Sequence, residues 1–162
     1  MKKVYIDTEN ISNYNCLEKI GIGSRDEIVL FLSQKSKPLK SNDLNMIHSF
    51  NAKVKTMLFQ TNRPNALDFH IITHLALKFS KKNEYFIVSN DKGYESAKNH
   101  YNILGYHNVD IIDESPIDSN NELEIKRLLK QSKDKADFHN LLVKTYGQQG
   151  RFIYKEYKSN IK

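Results

Sequence analysis

The sequence has very little cysteine, since Cys16 is the only one in 162 residues. A single cysteine excludes an intrachain disulfide framework and a cysteine-based zinc site, and it is typical of proteins in a reducing compartment. Long apolar runs are absent too, because no stretch approaches the roughly 20 residues that a membrane-spanning helix requires. The apolar run after Lys2 and Lys3 is short and is broken by Asp7, unlike the core of a secretory signal. We therefore expect a cytoplasmic protein without a membrane partner.

The excess of positive charge is concentrated near the carboxyl terminus. Residues 122–162 carry ten basic and five acidic side chains, so this segment accounts for +5 of the net charge of +6. A basic segment attracts polyanions, of which nucleic acid is the commonest. A solvated lysine-rich surface, or helices that pack on the domain or form a homo-oligomer, would have a similar composition. The candidates for contacts with nucleic acid in this segment are Lys126, Arg127, Lys130, Lys144 and Arg151.

Short apolar runs alternate with helical patterns over residues 1–113. The runs are rich in Val, Ile, Phe and Tyr and too short for helices, which predicts buried strands. This alternation is typical of a three-layer α/β domain with a mostly parallel central sheet. The predicted strands are Val4–Asp7, Ile28–Leu32, Val54–Phe59, Phe86–Ser89 and Val109–Ile112. The predicted helices are Asp43–Phe50, Leu67–Phe79 and Tyr94–Leu104.

A polar stretch that contains Pro116 follows this domain. It covers residues 114–121 and predicts a linker. Beyond it, apolar residues at helical spacing predict a short, basic helical extension over residues 122–162. In parallel α/β sheets, functional sites lie beyond the carboxyl ends of the strands. We therefore expect a site where the predicted strands of residues 1–113 end.

Three aspartates occupy positions that the predicted fold would bring to this edge. Asp7 ends the first strand, and Asp91 follows the strand that ends at Ser89. Asp68 falls inside the apolar arc of the second predicted helix and therefore faces the sheet. Each has a structural alternative, because aspartates often cap helices or close turns. A buried carboxylate is costly without a partner, however, which favours a functional interpretation of Asp68.

Carboxylates gathered in this way predict a cation site. They repel one another and raise one another's pKa values unless a cation neutralises them. Oxygen ligands in this number suit Mg²⁺ or Mn²⁺, and such an ion can activate water and stabilise charge on a phosphate. Together with the basic segment, Asp7, Asp68 and Asp91 predict a metal-dependent catalytic site that acts on nucleic acid.

Three sequence motifs resemble those of PIN-like and NYN-type nucleases. The first is YIDTEN, in which Asp7 is followed three residues later by Asn10. The second is NALDFHIITHLAL, in which Asp68 lies one turn into the helix. In the third motif, IVSNDKGYESA, the matching residues are Ser89, Asp91, Gly93 and Tyr94. The resemblance covers roughly residues 3–113.

The resemblance implies a sheet with strand order 3-2-1-4-5 and a metal-dependent endoribonuclease that hydrolyses RNA. Asp7 and Asp91 would bind Mg²⁺ or Mn²⁺, and Asp68 would bind the ion or the attacking water. Asn10 would orient Asp7 by a hydrogen bond. Ser89 would contact a metal-bound water or a substrate phosphate.

One position departs from the family pattern. Many members carry a second Asp two residues after the position of Asp91, where this chain has Gly93. Glu9 and Asp113 are the candidates for the additional ligand. If neither reaches the site, the domain acts with one metal or is a non-catalytic RNA-binding or regulatory module.

Two basic residues and two histidines lie near the predicted site. Lys92 and Arg63 flank it at loop positions and are candidates for binding phosphates. His70 and His74 have a spacing that can bind zinc, but no Cys or Glu joins them in a recognised pattern. They fall on the flank of the apolar arc, so we interpret them as a partly exposed helical face.

IDTEN also resembles the start of phosphatases that form an aspartyl-phosphate, although Glu9 replaces their second Asp.

Overall fold

A sheet of five parallel strands forms the centre of the protein. The computed structural model describes residues 1–61, 63–115, 119–146 and 149–157. The strands are β1 Lys2–Asp7, β2 Glu27–Leu32, β3 Lys53–Leu58, β4 Glu84–Val88 and β5 Val109–Ile112. Their order is β3-β2-β1-β4-β5, and every neighbouring pair is parallel. The predicted α/β fold and the strand order that the resemblance implies are both confirmed.

Helices connect the strands, as parallel pairing requires. They are α1 Ser41–Ser49 between β2 and β3, α2 Ala66–Lys78 between β3 and β4, and α3 Tyr94–Ile103 between β4 and β5. Strands begin up to two residues earlier than predicted, because charged residues outside the apolar runs still pair through their backbones. Lys2 and Glu84, for example, are direct partners on β1 and β4. No helix among the described residues has the length and apolarity to cross a membrane.

Both faces of the sheet are covered. Successive strand residues point to opposite faces. On one face, buried strand residues such as Tyr5 and Ile87 pack with Leu67 and Ile71 of α2 and with α3. On the other face, Val4, Ile6, Ile28 and Leu30 are at most 3% exposed. Asp7 has the same parity as Tyr5, so it faces the layer formed by α2 and α3.

A 3₁₀ helix at Tyr14–Ile20 was not predicted from the sequence. Its buried residues Tyr14 and Leu17 lie three positions apart, which is the repeat of a 3₁₀ helix. A spacing of three that persists for only two turns is too short to stand out as a helical pattern. The segment therefore has a signal in the sequence, but a weak one.

The chain divides into two compact units. One contains residues 1–17 and 22–114, and the other contains residues 18–21 and 115–162. The predicted linker falls partly on residues 116–118, which lie outside the described residues. The second unit contains α4 Ser119–Gln131, α5 Lys135–Tyr146 and α6 Gln149–Tyr157. Its buried core consists of Ile125, Phe138, Leu142 and Ile153.

Gly150 marks a close crossing of α5 and α6. A Cβ atom at this position would lie 2.2 Å from the carbonyl oxygen of Leu142, which is backbone and cannot rotate away. Gly150→Ala is therefore expected to destabilise the second unit by about 1–3 kcal/mol, the usual cost of overpacking. Urea unfolding followed by far-ultraviolet circular dichroism measures the change.

Gly23→Ala is the matched control for this prediction. A Cβ atom at Gly23 would have its nearest neighbour, Asp26 Oδ2, at 3.8 Å, which is an ordinary contact. We expect the control to unfold as the wild type does. Equal stability of the two variants would contradict the close helix crossing.

Candidate functional site

Asp7 is the centre of a polar cluster at the carboxyl edge of the sheet. Its side chain is fully buried at the end of β1. Ser89 follows β4, the neighbour of β1, with the same parity as Ile87, and it is 1% exposed. Both side chains therefore lie on the face covered by α2 and α3. This is the edge at which α/β sheets generally build their sites.

Four donors hold the Asp7 carboxylate. Oδ2 accepts hydrogen bonds from Asn10 Nδ2 at 2.8 Å, Ser89 Oγ at 3.0 Å and Tyr94 Oη at 3.2 Å. Oδ1 accepts one from the backbone N–H of Glu9 at 3.1 Å. These bonds compensate a buried charge that would otherwise be very costly. They also fix the orientation of the carboxylate, and the Asn10 contact is the one that the sequence motif led us to expect.

The Tyr94 hydroxyl joins Asp7 to Asp68. Tyr94 begins α3, is 1% exposed, and places its Oη 3.0 Å from Asp68 Oδ1 as well as near Asp7 Oδ2. Burial, and then the charges of these two carboxylates, raise the pKa of the Tyr94 hydroxyl far above its ordinary value. The phenol therefore stays protonated, but its one proton can be donated to only one carboxylate at a time.

Asp68 lies within the field of three other acids. It occupies the first turn of α2 and is half-buried. Burial raises its pKa most, and repulsion from Asp7, Asp91 and Glu9 raises it further, while the hydrogen bond from Tyr94 partly opposes this. The inward orientation predicted from the helical pattern thus places Asp68 beside Asp7. The four carboxylates form one electrostatic cluster, which we call the acid cluster.

Asp91 closes the turn that leads from β4 to α3. Its Oδ1 accepts a hydrogen bond from Gly93 N at 2.7 Å, and its own N–H donates to Ser89 Oγ at 3.1 Å. The turn-closing role that the sequence left open is therefore present, alongside the electrostatic contact with Asp68. A Cβ atom at Gly93 would lie 3.2 Å from Asp91 Oδ1, which is a tight contact. Glycine at this position leaves the Asp91 turn undisturbed.

Of the two candidates for an additional acid, Glu9 is the one in the cluster. Glu9 is half-buried, accepts a hydrogen bond from Ser33 Oγ and raises the pKa of Asp68. Asp113 follows β5, an outer strand of the sheet, and is exposed. β5 is separated from β1 by β4, which is about 10 Å at the usual strand spacing. The geometry therefore favours Glu9.

Loop residues that the sequence did not single out support the cluster. Asn90 Nδ2 donates to the backbone oxygen of Asn10 at 2.9 Å and to Glu114 Oε2 at 2.8 Å. Glu114 also accepts hydrogen bonds from the backbone N–H groups of Ser12 and Asn13. Although burial opposes ionisation of Glu114, these bonds hold its pKa below the ordinary value. The loops after β1, β4 and β5 are thereby fastened together.

The basic residues proposed for substrate contacts are all exposed. Lys92 lies on the loop after β4, and Arg63 lies on the loop before α2. In the second unit, the exposed basic side chains include Lys126, Arg127, Lys130, Lys144 and Arg151.

The two histidines of α2 pack against aromatic rings. His70 stacks on Phe59 with ring centroids 4.1 Å apart. His74 contacts Tyr5 and Phe31 edge to face, and its pKa is lowered, chiefly by burial. His70 is exposed and His74 is half-buried, which matches the predicted partly exposed flank of the helix.

The acid cluster has the oxygen donors of a cation site but not the close spacing of one. Its donors are carboxylate oxygens, the type that Mg²⁺ and Mn²⁺ prefer, and their mutual repulsion favours a cation. Among the described residues, however, no three His, Cys, Asp or Glu side chains lie close enough together to hold a metal ion. The donor set fits such an ion, and holding it would require the carboxylates to approach one another.

The part of the chain that contains the sheet resembles a known protein family. Residues 1–111 match a family model described as PIN domain, and this range is more than half of the chain. It includes Asp7, Asp68 and Asp91. Neither the curated proteins nor the solved structures gave a match to this chain. On the strength of the family match, this protein belongs to the PIN domain family.

Proposed function

We propose that this protein is a Mg²⁺- or Mn²⁺-dependent endoribonuclease that hydrolyses RNA at the acid cluster. PIN domains are generally nucleases. The observation that carries the proposal is that the Tyr94 hydroxyl joins the buried Asp7 carboxylate to Asp68 at the carboxyl edge of the sheet. Repulsion from Asp7, Asp91 and Glu9 is among the causes that raise the pKa of Asp68, after burial. Neutralising such a cluster is what a bound divalent cation does. The motif around Asp7 and Asn10 further supports an NYN-type member.

In this proposal each acid has a separate role. Asp7 and Asp91 would hold the ion, which would supply an activated water and stabilise charge on the phosphate. Asp68, which is half-buried and is joined to Asp7 through the Tyr94 hydroxyl, accepts the proton of the attacking water. Asn10 and Ser89 keep Asp7 in position. The water oxygen bonds to phosphorus as the bond to the leaving sugar oxygen breaks, and that oxygen takes a proton from solvent to become a hydroxyl.

Cleavage of labelled RNA tests the proposal. Purified protein is incubated with single-stranded and with structured RNA, in Mn²⁺, in Mg²⁺ and in EDTA. Internal cleavage in either ion and none in EDTA is the expected result. Cleavage that is equally fast in EDTA, or no cleavage of either RNA, would argue against the proposal.

The second candidate is a non-catalytic RNA-binding module on the same fold. Gly93 in place of a second Asp, and the open arrangement of the described carboxylates, favour it. Thermal unfolding with and without Mn²⁺ separates the two. A nuclease site predicts stabilisation by Mn²⁺ that is lost in Asp91→Asn, whereas the binding module predicts no shift in either protein.

Removing the Tyr94 hydroxyl is expected to weaken the site without disturbing the core. Tyr94→Phe keeps the ring but deletes a hydroxyl that contacts both Asp7 and Asp68. Groups that orient metal ligands typically contribute about 10–100-fold to metal affinity or activity. We therefore expect losses of that size in Mn²⁺ affinity and in RNA cleavage, measured by Mn²⁺ titration and single-turnover kinetics.

Tyr101→Phe is the matched control, because Tyr101 lies on the same helix and packs in the same core cluster. It should bind Mn²⁺ and cleave RNA as the wild type does. If Tyr94→Phe behaves like Tyr101→Phe, the hydroxyl has no positioning role.

A further inference from the structure

Three lysines lie on the loop that connects β2 to α1. The loop covers residues 33–40, contains Lys35, Lys37 and Lys40, and has no acidic residue. All three lysines are exposed. Within the described part of the chain, none of them forms an ion pair, whereas Lys3, Lys55 and Lys98 do. The ammonium groups of this loop are therefore available to an anion from solution.

Hydrogen bonds fasten this loop to the residue next to Asp7. Thr8 is fully buried, and its Oγ1 is hydrogen-bonded to Ser36 Oγ at 2.6 Å. Its backbone oxygen accepts from Lys37 N at 3.4 Å. Ser36 Oγ in turn accepts from Ser33 N at 2.8 Å. The backbone of Lys37 is thus bonded directly to the residue that follows Asp7.

A second contact links the loop to the acid cluster. Ser33 Oγ donates to Glu9 Oε1 and accepts from the backbone N–H of Lys35 at 3.0 Å. Ser33 is 7% exposed, so this arrangement is held in the interior. Because the loop is already ordered, binding an anion would not require the cost of ordering it.

The strand order places positive charge on both sides of Asp7. β1 lies between β2 and β4, so the lysine loop follows the strand on one side and Lys92 follows the strand on the other. Neighbouring strands are about 4.8 Å apart, so the two loops begin about 10 Å from each other. A polymer of phosphates that crosses the sheet edge over Asp7 would meet both.

We propose that Lys35 and Lys37 bind backbone phosphates of single-stranded RNA on the β2 side of the acid cluster. The inference rests on the proposed nuclease function and adds a substrate-binding element that sets the path of the strand. Contacts of this kind act on the backbone and carry no sequence information. The alternative is that these lysines only offset the charge of the acids, in which case RNA binding does not depend on them.

The test compares two double variants with the same change in charge. Lys35→Ala/Lys37→Ala removes the loop lysines. Lys53→Ala/Lys82→Ala is the control, because both residues are exposed and lie at the amino ends of β3 and β4, the opposite edge of the sheet. Binding of a fluorescent single-stranded RNA is measured by anisotropy in EDTA over a range of KCl concentrations.

The loop variant is expected to bind RNA about tenfold or more weakly than the control at about 0.1 M salt, because two phosphate contacts are lost. The slope of log K against log salt should decrease in magnitude by about 1.4, at about 0.7 per contact with a single strand. Equal affinity and equal slope for the two double variants would overturn the inference, as would a wild type that binds no RNA at low salt. Tighter Mn²⁺ binding by the loop variant with unchanged RNA binding would overturn it in favour of charge neutralisation.

Failure of this inference and failure of the nuclease function give different results. If the wild type cleaves RNA in Mn²⁺ but the loop variant binds RNA like the control, only the phosphate-binding element is wrong. If RNA binding depends on the loop but no cleavage occurs in either ion, the phosphate-binding element is correct and the nuclease function is wrong.

Discussion

Asp7→Asn is expected to lower metal-dependent RNA cleavage by at least about a thousandfold, as removal of an essential catalytic group commonly does. The substitution removes the charge at the centre of the acid cluster. It also places an amide where Oδ2 accepts three hydrogen bonds and Oδ1 accepts one. Whichever way the amide turns, its NH₂ group faces a neighbour that can only donate, the Glu9 N–H at the Oδ1 position or the Asn10 amide nitrogen at the Oδ2 position. Single-turnover cleavage in Mn²⁺ measures the loss.

A loss of stability must be separated from this effect. The mismatched amide at a fully buried position should cost about 1–3 kcal/mol, so unfolding curves accompany the kinetics. Asp110→Asn is the matched control, because Asp110 of β5 pairs with Lys98 of α3 and is not among the acids that raise the pKa of Asp68. It should cleave within about twofold of wild type. A folded Asp7→Asn protein that cleaves as fast as this control would contradict the role of Asp7.

Asp68→Asn should abolish cleavage yet stabilise the metal-free protein. The change removes a carboxylate whose pKa is raised by burial and by Asp7, Asp91 and Glu9. An amide at this position can also donate to Tyr94 Oη, which frees the phenol proton for Asp7. We expect Tm to rise by a few degrees at neutral pH, the shift that about 1 kcal/mol produces in a domain of this size.

The pH dependence follows from the sign of the pKa shift. Because the pKa of Asp68 is higher in the folded protein than in the unfolded chain, the folded state takes up the proton more readily. The contribution of this group to stability is present below the unfolded pKa and is lost as the pH rises through the folded one. The advantage of Asp68→Asn should therefore be largest at neutral pH and should shrink as the pH falls through the same range.

Urea unfolding in EDTA at several pH values checks this prediction. Asp110→Asn, the same substitution outside the acid cluster, should give no stabilisation at any pH. If Asp68→Asn is less stable than wild type at neutral pH, repulsion within the acid cluster does not destabilise the folded protein. Stabilisation combined with undiminished cleavage would instead remove Asp68 from the proposed mechanism.

The features of the fold that have a repeating pattern could be predicted from the sequence. Short apolar runs predicted the strands, and the period of α2 predicted that Asp68 faces the sheet, where it meets Asp7. Strands such as β1 and β4 begin two residues earlier than predicted, because backbone pairing continues through charged residues such as Lys2 and Glu84.

Contacts between loops have no such pattern. From the sequence, Tyr94 was identified only as a motif residue at the start of a predicted helix, and only the three-dimensional arrangement of β1, α2 and α3 brings its hydroxyl between two carboxylates. The bond between Ser33 and Glu9, and that between Asn90 and Glu114, each join residues 24 positions apart. For the same reason, the sequence left both Glu9 and Asp113 as candidates, whereas the exposure of the two residues and the strand order separate them.

Mn²⁺ binding by the wild type and by single variants tests the central claim most directly. Free Mn²⁺ is measured by electron paramagnetic resonance while EDTA-stripped protein is titrated. We predict that Asp7→Asn and Asp91→Asn each weaken binding strongly, that Asp68→Asn and Glu9→Gln weaken it less because they only remove nearby charge, and that Asp113→Asn and Asp110→Asn leave it unchanged. Mn²⁺ affinity that is the same in all of these proteins would contradict a metal site at the acid cluster.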